Sequence, residues 1–170
     1  MMNDIQFDYP YMDAVNPIDT LEAIANENKW PLEKTSDDEA SLEIEGRWGQ
    51  FTLNFLWQEE YQALLFSCTS DLRVSVDKIP AIKEMLFEIN NKTWLGHFDL
   101  DDSDERYVLF RYTSLMRGYT LNAQEHVEDL IELSMTEFDR FYPAFKAVLS
   151  ERPVANDVMI TMLADPMGEA

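Results

Sequence analysis

The chain has 170 residues, 46% of them hydrophobic, and sets 13 Lys and Arg against 33 Asp and Glu for a net charge of −20. That length predicts one domain, able to bury about 70% of the surface its unfolded form exposes without help from a disulfide or a metal. Surfaces that track phosphate need clustered Lys and Arg, and here the bases are scattered singly, so neither nucleic acid nor an anionic membrane is an expected partner.

Residues 1–15, "MMNDIQFDYPYMDAV", have no periodicity and read as a disordered tail. They are acidic and lack the basic-then-apolar pattern of a signal peptide, so the cytoplasm is the expected location. Structure is predicted from Asn16, an N-cap candidate, with Pro17 in the first helical position and Asp19 in the first turn. Ile18, Leu21, Ile24 and Ala25 then recur at helical spacing to about Asn28, and Trp30-Pro31 ends the helix.

Strand patterning follows. Trp30 to Lys34 is a candidate for a short first strand. "SLEIE" alternates Leu42 and Ile44 with glutamates. "GQFTLNFLW" turns Phe51, Leu53, Phe55 and Trp57 inward. "YQALLFSCTSDLRV" is apolar on both parities, which predicts a central strand covered on both faces. The short connections argue for an antiparallel meander.

Helical period returns over Asp77 to Thr93, where Ile79, Ile82, Leu86 and Ile89 form a stripe and Pro80 fits the first turn. Trp94 to Leu100 looks extended, and "RYVLFRYTSLM" from Arg106 is a strong strand. The last long helix is predicted over Asn122 to about Ser150, with Val127, Ile131, Ser134, Phe138, Phe141, Phe145 and Val148 as its seam. Pro143 predicts a kink or break there. A short closing helix is expected over Asn156 to Leu163. The whole reads as α+β, a mainly antiparallel sheet of about five strands under helices.

The residues that carry chemistry are few. "WLGHFDLDDSDER" sets His97 beside five acids. Counted as a calcium loop from Asp99, the sixth position is Asp104 where Gly is needed and the twelfth is Phe110 where Glu is needed. The acidic stretch 99–105 is therefore expected to be a solvated hairpin tip, with a small-ligand or metal-ion sensor as the alternative. Two histidines and one cysteine on separate elements do not make a zinc site. His97 is expected to be packed and hydrogen-bonded beside Trp94, and His126 to lie on the surface.

A Cys68–His97–Asp99 hydrolase can be drawn, but no nucleophile elbow surrounds Cys68, and its apolar setting predicts a buried thiol. No G-x-G-x-x-G or Walker A pattern occurs. No enzyme activity and no cofactor are expected. Four Trp, ten Phe and seven Tyr exceed what a small core obviously needs; a large aromatic core is expected to account for most of them, with a groove or dimer face as the alternative.

Taken together, "NPIDTLEAIA", "WPLEKTSDDEASLEIEGRW", "SCTSDLRV", "NNKTWLGHFDL", "LFRYTSLMRG" and "EDLIELSMTEFDRFYPAFKAVL" resemble the YbjN-domain family of bacterial proteins. The resemblance implies a single domain over about 16–165 and the order α-β-β-β-α-β-β-α, similar to the small dimeric chaperones of type III secretion. It implies a regulator of sensory transduction or a chaperone-like factor: a homodimer that binds a protein partner along apolar surface. It offers no catalytic, cofactor or metal residues. Its recognisable centre is Trp94, Gly96, His97 and Phe98 with Arg111 and Arg117. Gly96 is expected to permit a close backbone approach or a bulge, and His97 and the arginines to make inter-strand polar contacts.

Overall fold

The computed structural model describes residues 15–117, 123–150 and 163. Helix α1 (Ile18–Asn28) starts where Asn16 Oδ1 accepts the Ile18 amide at 3.0 Å. It stops where Lys29 turns into the left-handed region at φ 60°. Four strands follow: β1 (Leu32–Lys34), β2 (Glu39–Glu45), β3 (Gln50–Gln58) and β4 (Ala63–Arg73). A 3-10 turn, Val76–Lys78, leads into α2 (Ile79–Asn90), whose first turn takes Pro80. Then come β5 (His97–Leu100), β6 (Tyr107–Leu115) and α3 (Ala123–Leu149).

The six strands form one antiparallel sheet in the order β1-β2-β3-β4-β6-β5. The sheet has one strand more than the about five expected, and the short first strand offered over Trp30 to Lys34 is present as β1, three residues long with one half-buried side chain.

The helices and one face of the sheet enclose a single core. Strand alternation delivers Leu42 and Ile44, Phe51, Leu53, Phe55 and Trp57, Phe66 and Cys68, and Phe98, Val108 and Phe110 to it. From α3 come Val127, Ile131, Ser134, Phe138, Phe141 and Phe145, which is the predicted seam with Val148 half-buried at its end. Phe98 sits at the centre of an aromatic cluster, with its ring centroid 5.1 Å from that of Phe138 and 5.3 Å from those of Phe110 and Phe145. Each such side chain contributes about 1.5–3 kcal/mol by leaving water, and edge-to-face contacts add to that.

Two structural expectations are corrected. Strand β4 is central, but only one of its faces lies against helices; Leu65, Ser67 and Thr69 stand half-buried on the other. Its apolar double parity comes from Ala63-Leu64-Leu65 at one end. Of the kink or break expected at Pro143, the break does not occur: helix α3 runs through that residue. The carbonyl that loses its partner belongs to Asp139 on the exposed side, and the packed aromatic seam outweighs the cost of about 3 kcal/mol. Residues 1–14 and most of the Asn156 to Leu163 stretch lie outside the described residues; Leu163 itself is helical and half-buried against the core.

Candidate functional site

The segment from Trp94 to Arg111 builds one edge of the sheet. An edge strand exposes backbone donors and acceptors that invite pairing with another chain. Here α2 answers them. Asn90 Nδ2 donates to the Phe98 carbonyl at 3.0 Å, and Asn90 Oδ1 accepts the Phe98 amide at 2.8 Å. A side-chain carboxamide thus stands in for the missing strand, and addition of a partner strand at β5 is blocked at its second residue.

Phe98 points into the core and is fully buried, whereas His97 and Asp99, one position to either side, face the opposite way. Gly96 has φ +71°, and a Cβ there would overlap the Phe110 ring and lie 2.9 Å from the Arg111 carbonyl oxygen. It brings two backbones together over Phe110. His97 pairs in register with Arg111, and Arg111 Nε lies 3.7 Å from Asp99 Oδ2 in a half-exposed ion pair.

Trp94 is 78% exposed, and His97 is exposed too. The expected packed pair of Trp94 and His97 does not form. The chain is still in the loop at Trp94, and alternation places His97 away from the helices. Arg117 lies beyond β6, exposed and remote in sequence from the Gly96 contact. The structure therefore brings Gly96, His97, Phe98 and Arg111 together and leaves Trp94 outward.

The acidic hairpin uses its carboxylates internally. Asp101 Oδ1 accepts from Ser103 Oγ at 2.9 Å and from the Tyr107 amide at 2.9 Å. Asp99 Oδ1 accepts the Leu100 amide at 2.8 Å. Glu105 accepts the Tyr107 hydroxyl at 2.7 Å and lies 4.0 Å from Arg73. Among the described residues, no group of three or more His, Cys, Asp and Glu converges as a metal site requires.

Cys68 is fully buried in the core, and burial pushes its thiol up to about 12, against a smaller opposing pull from Ser134. A nucleophilic cysteine needs the reverse, an accessible thiol with a lowered pKa. His97 and Asp99 also lie on the other face of the sheet from Cys68. The drawn hydrolase is excluded by that separation. His126, expected on the surface, is half-buried, and desolvation lowers its pKa.

What the surface does offer is exposed apolar side chains. Phe87 is 67% and Leu115 68% exposed. Leu115 belongs to an uncharged strip across the three central strands on the open face. Its rows are Leu56–Leu65–Thr113 and Gln58–Ala63–Leu115, with exposed Tyr61 in the turn beside them. Sequence reading missed this strip, because its members occur singly among polar neighbours and meet only in the register. Among the described residues, no helix is long and apolar enough to cross a membrane.

Three comparisons bear on this geometry. Residues 17–147 match the model of the YbjN family, described as "Putative bacterial sensory transduction regulator", and the chain belongs to that family. Among solved structures it is similar to that of YbjN from E. coli, described as "a putative transcription regulator", with a TM-score of 0.51 and 11% identity over 74% of this chain and 91% of that one. At that identity the likeness is one of fold. No curated protein matches the chain.

Proposed function

Starting from membership of the YbjN family, we propose that this chain is a non-enzymatic, cytoplasmic regulator that acts by binding another protein and does so as a homodimer. The observation that supports the reading is the exposure of Trp94, Phe87 and Leu115. Large aromatic side chains supply much of the energy at protein interfaces. The E. coli protein of similar fold is described as "a putative transcription regulator". A chain at −20 would influence transcription through a protein rather than by gripping DNA.

Self-association is proposed at the uncharged strip. Two copies this acidic repel at most of their surface, and the uncharged rows ending in Thr113 and Leu115 give them a place to meet, bounded by Glu39 in register with Leu56.

The experiment is capture from the native host on immobilised chain, with mass-spectrometric identification, beside static light scattering. The reading expects a partner enriched by wild type and depleted by Trp94→Ala, and a dimer mass. A wild type that enriches nothing and scatters as a monomer would overturn it.

A further inference from the structure

We propose that the groove between α1 and α3 is the docking place for a cationic, amphipathic segment of a partner protein. The proposal rests on the reading of the chain as a protein-binding module, and adds where the partner sits and what it must carry.

The groove is open to solvent and holds about 470 Å³. Its floor is apolar: Ile24 from α1, Trp30 just after it, Ile44 from β2, and Ile131 and Met135 from α3. Its charged lining is of one sign only. Glu27 stands on the α1 side and Glu128 and Glu132 on the α3 side, and no Lys or Arg lines it.

Glu128 and Glu132 are one helical turn apart. Like charges at that spacing weaken a helix by about 0.2–0.5 kcal/mol. The last turn of α1 holds no basic side chain, and Lys29 at its C-cap is the one base beside its carbonyl end and does not line the groove. Three acids around a tryptophan and three isoleucines are what a Lys- or Arg-bearing apolar segment would complement, with the cation able to lie over the Trp30 ring.

Charge also decides between occupants. A second copy brings 33 acids against 13 bases. The chain's own residues 1–14 carry three aspartates and no base, and residues 151–170 carry four acids and one arginine. None of these complements an acidic rim.

The test uses the full chain and a fluorescein-labelled helical peptide of leucine and lysine, read by anisotropy. Saturable binding is expected, with a tryptophan emission shift that is lost in Trp30→Phe. The triple variant Glu27→Gln, Glu128→Gln, Glu132→Gln should weaken binding about tenfold, and more at low salt than at high. The charge-matched control Glu43→Gln, Asp102→Asn, Asp104→Asn should change it less than about threefold. Equal loss in the two triples, or no saturable binding to wild type, overturns the groove.

Host-lysate capture separates this failure from failure of the parent reading. A partner retained equally by wild type and the groove triple removes the groove and leaves the binding module standing. A wild type that captures nothing and scatters as a monomer removes both.

Discussion

The two faces of the sheet are built from the same strands and obey opposite rules. The face under the helices carries Phe51, Phe55, Phe66, Phe98 and Phe110, all buried. The open face carries Thr52, Asn54, Ser67, Thr69, Arg111 and Thr113 in adjacent register, with the Leu56–Leu65 and Ala63–Leu115 rows at one end. The first face holds the molecule together, so its side chains are fixed by volume. The second is free to vary for binding, so its few apolar positions carry information that the covered ones do not.

The largest effect that tests this contrast is on the covered face. Phe98→Ala removes the ring that contacts Phe110, Phe138, Phe141 and Phe145, and should cost about 3–5 kcal/mol in urea denaturation. Trp94→Ala, four residues earlier and exposed, should stay within about 0.5 kcal/mol. Comparable losses in the two variants would erase the distinction between core and surface within one phrase of sequence.

Next comes the edge where the faces meet. Gly96→Ala places a methyl against Phe110 and the Arg111 carbonyl at φ +71°. Backbone strain and overpacking together should cost about 2–3 kcal/mol. A stability unchanged by that substitution would mean the close approach at Gly96 relaxes freely.

A smaller effect comes from charge on the covered side. Glu137 is the only charged residue among the described buried ones, and burial raises its pKa against a weaker opposing pull from Arg140. At low pH the carboxyl is protonated in both folded and unfolded chains. As pH rises through the ordinary glutamate range the unfolded chain ionises first, so this group's contribution to stability falls, and it stops falling above the raised folded value. Glu137→Gln should therefore raise the melting temperature at pH 7, with the gain shrinking to nothing in acid. A gain that persists at pH 3 would assign the effect to packing instead.

How much of this was legible depends on which face a residue serves. Alternation in "GQFTLNFLW" and the seam from Val127 to Phe145 were readable because burial imposes a period. His97 and Trp94 were misread because periodicity gives parity along a strand but not which strand lies at an edge. The fate of Pro143 was illegible because tertiary packing along α3 decides it. The groove was beyond reach for the same kind of reason: Glu27 and Trp30 meet Glu128 and Glu132 only after α1 and α3 pack together, and nothing local marks that meeting.

The smallest expected effect on folding falls at Leu115, and it reports most directly on the open face. Its side chain is 68% exposed and its neighbour across β4 is Ala63. Leu115→Glu removes little buried area, so an isolated chain should keep its stability within about 1 kcal/mol, allowing for the weaker strand preference of glutamate. A dimer sealed there would behave differently. Two carboxylates would be desolvated against an apolar strip, and the scattering mass at about 50 µM should fall to that of one chain. Linkage supplies a second reading of the same event: a dimer's melting temperature rises with protein concentration and a monomer's does not. Wild type should show that dependence and Leu115→Glu should lose it. A variant that remains dimeric would move the self-contact away from the strip, and a wild type whose melting temperature ignores concentration would leave the strip free for the partner alone.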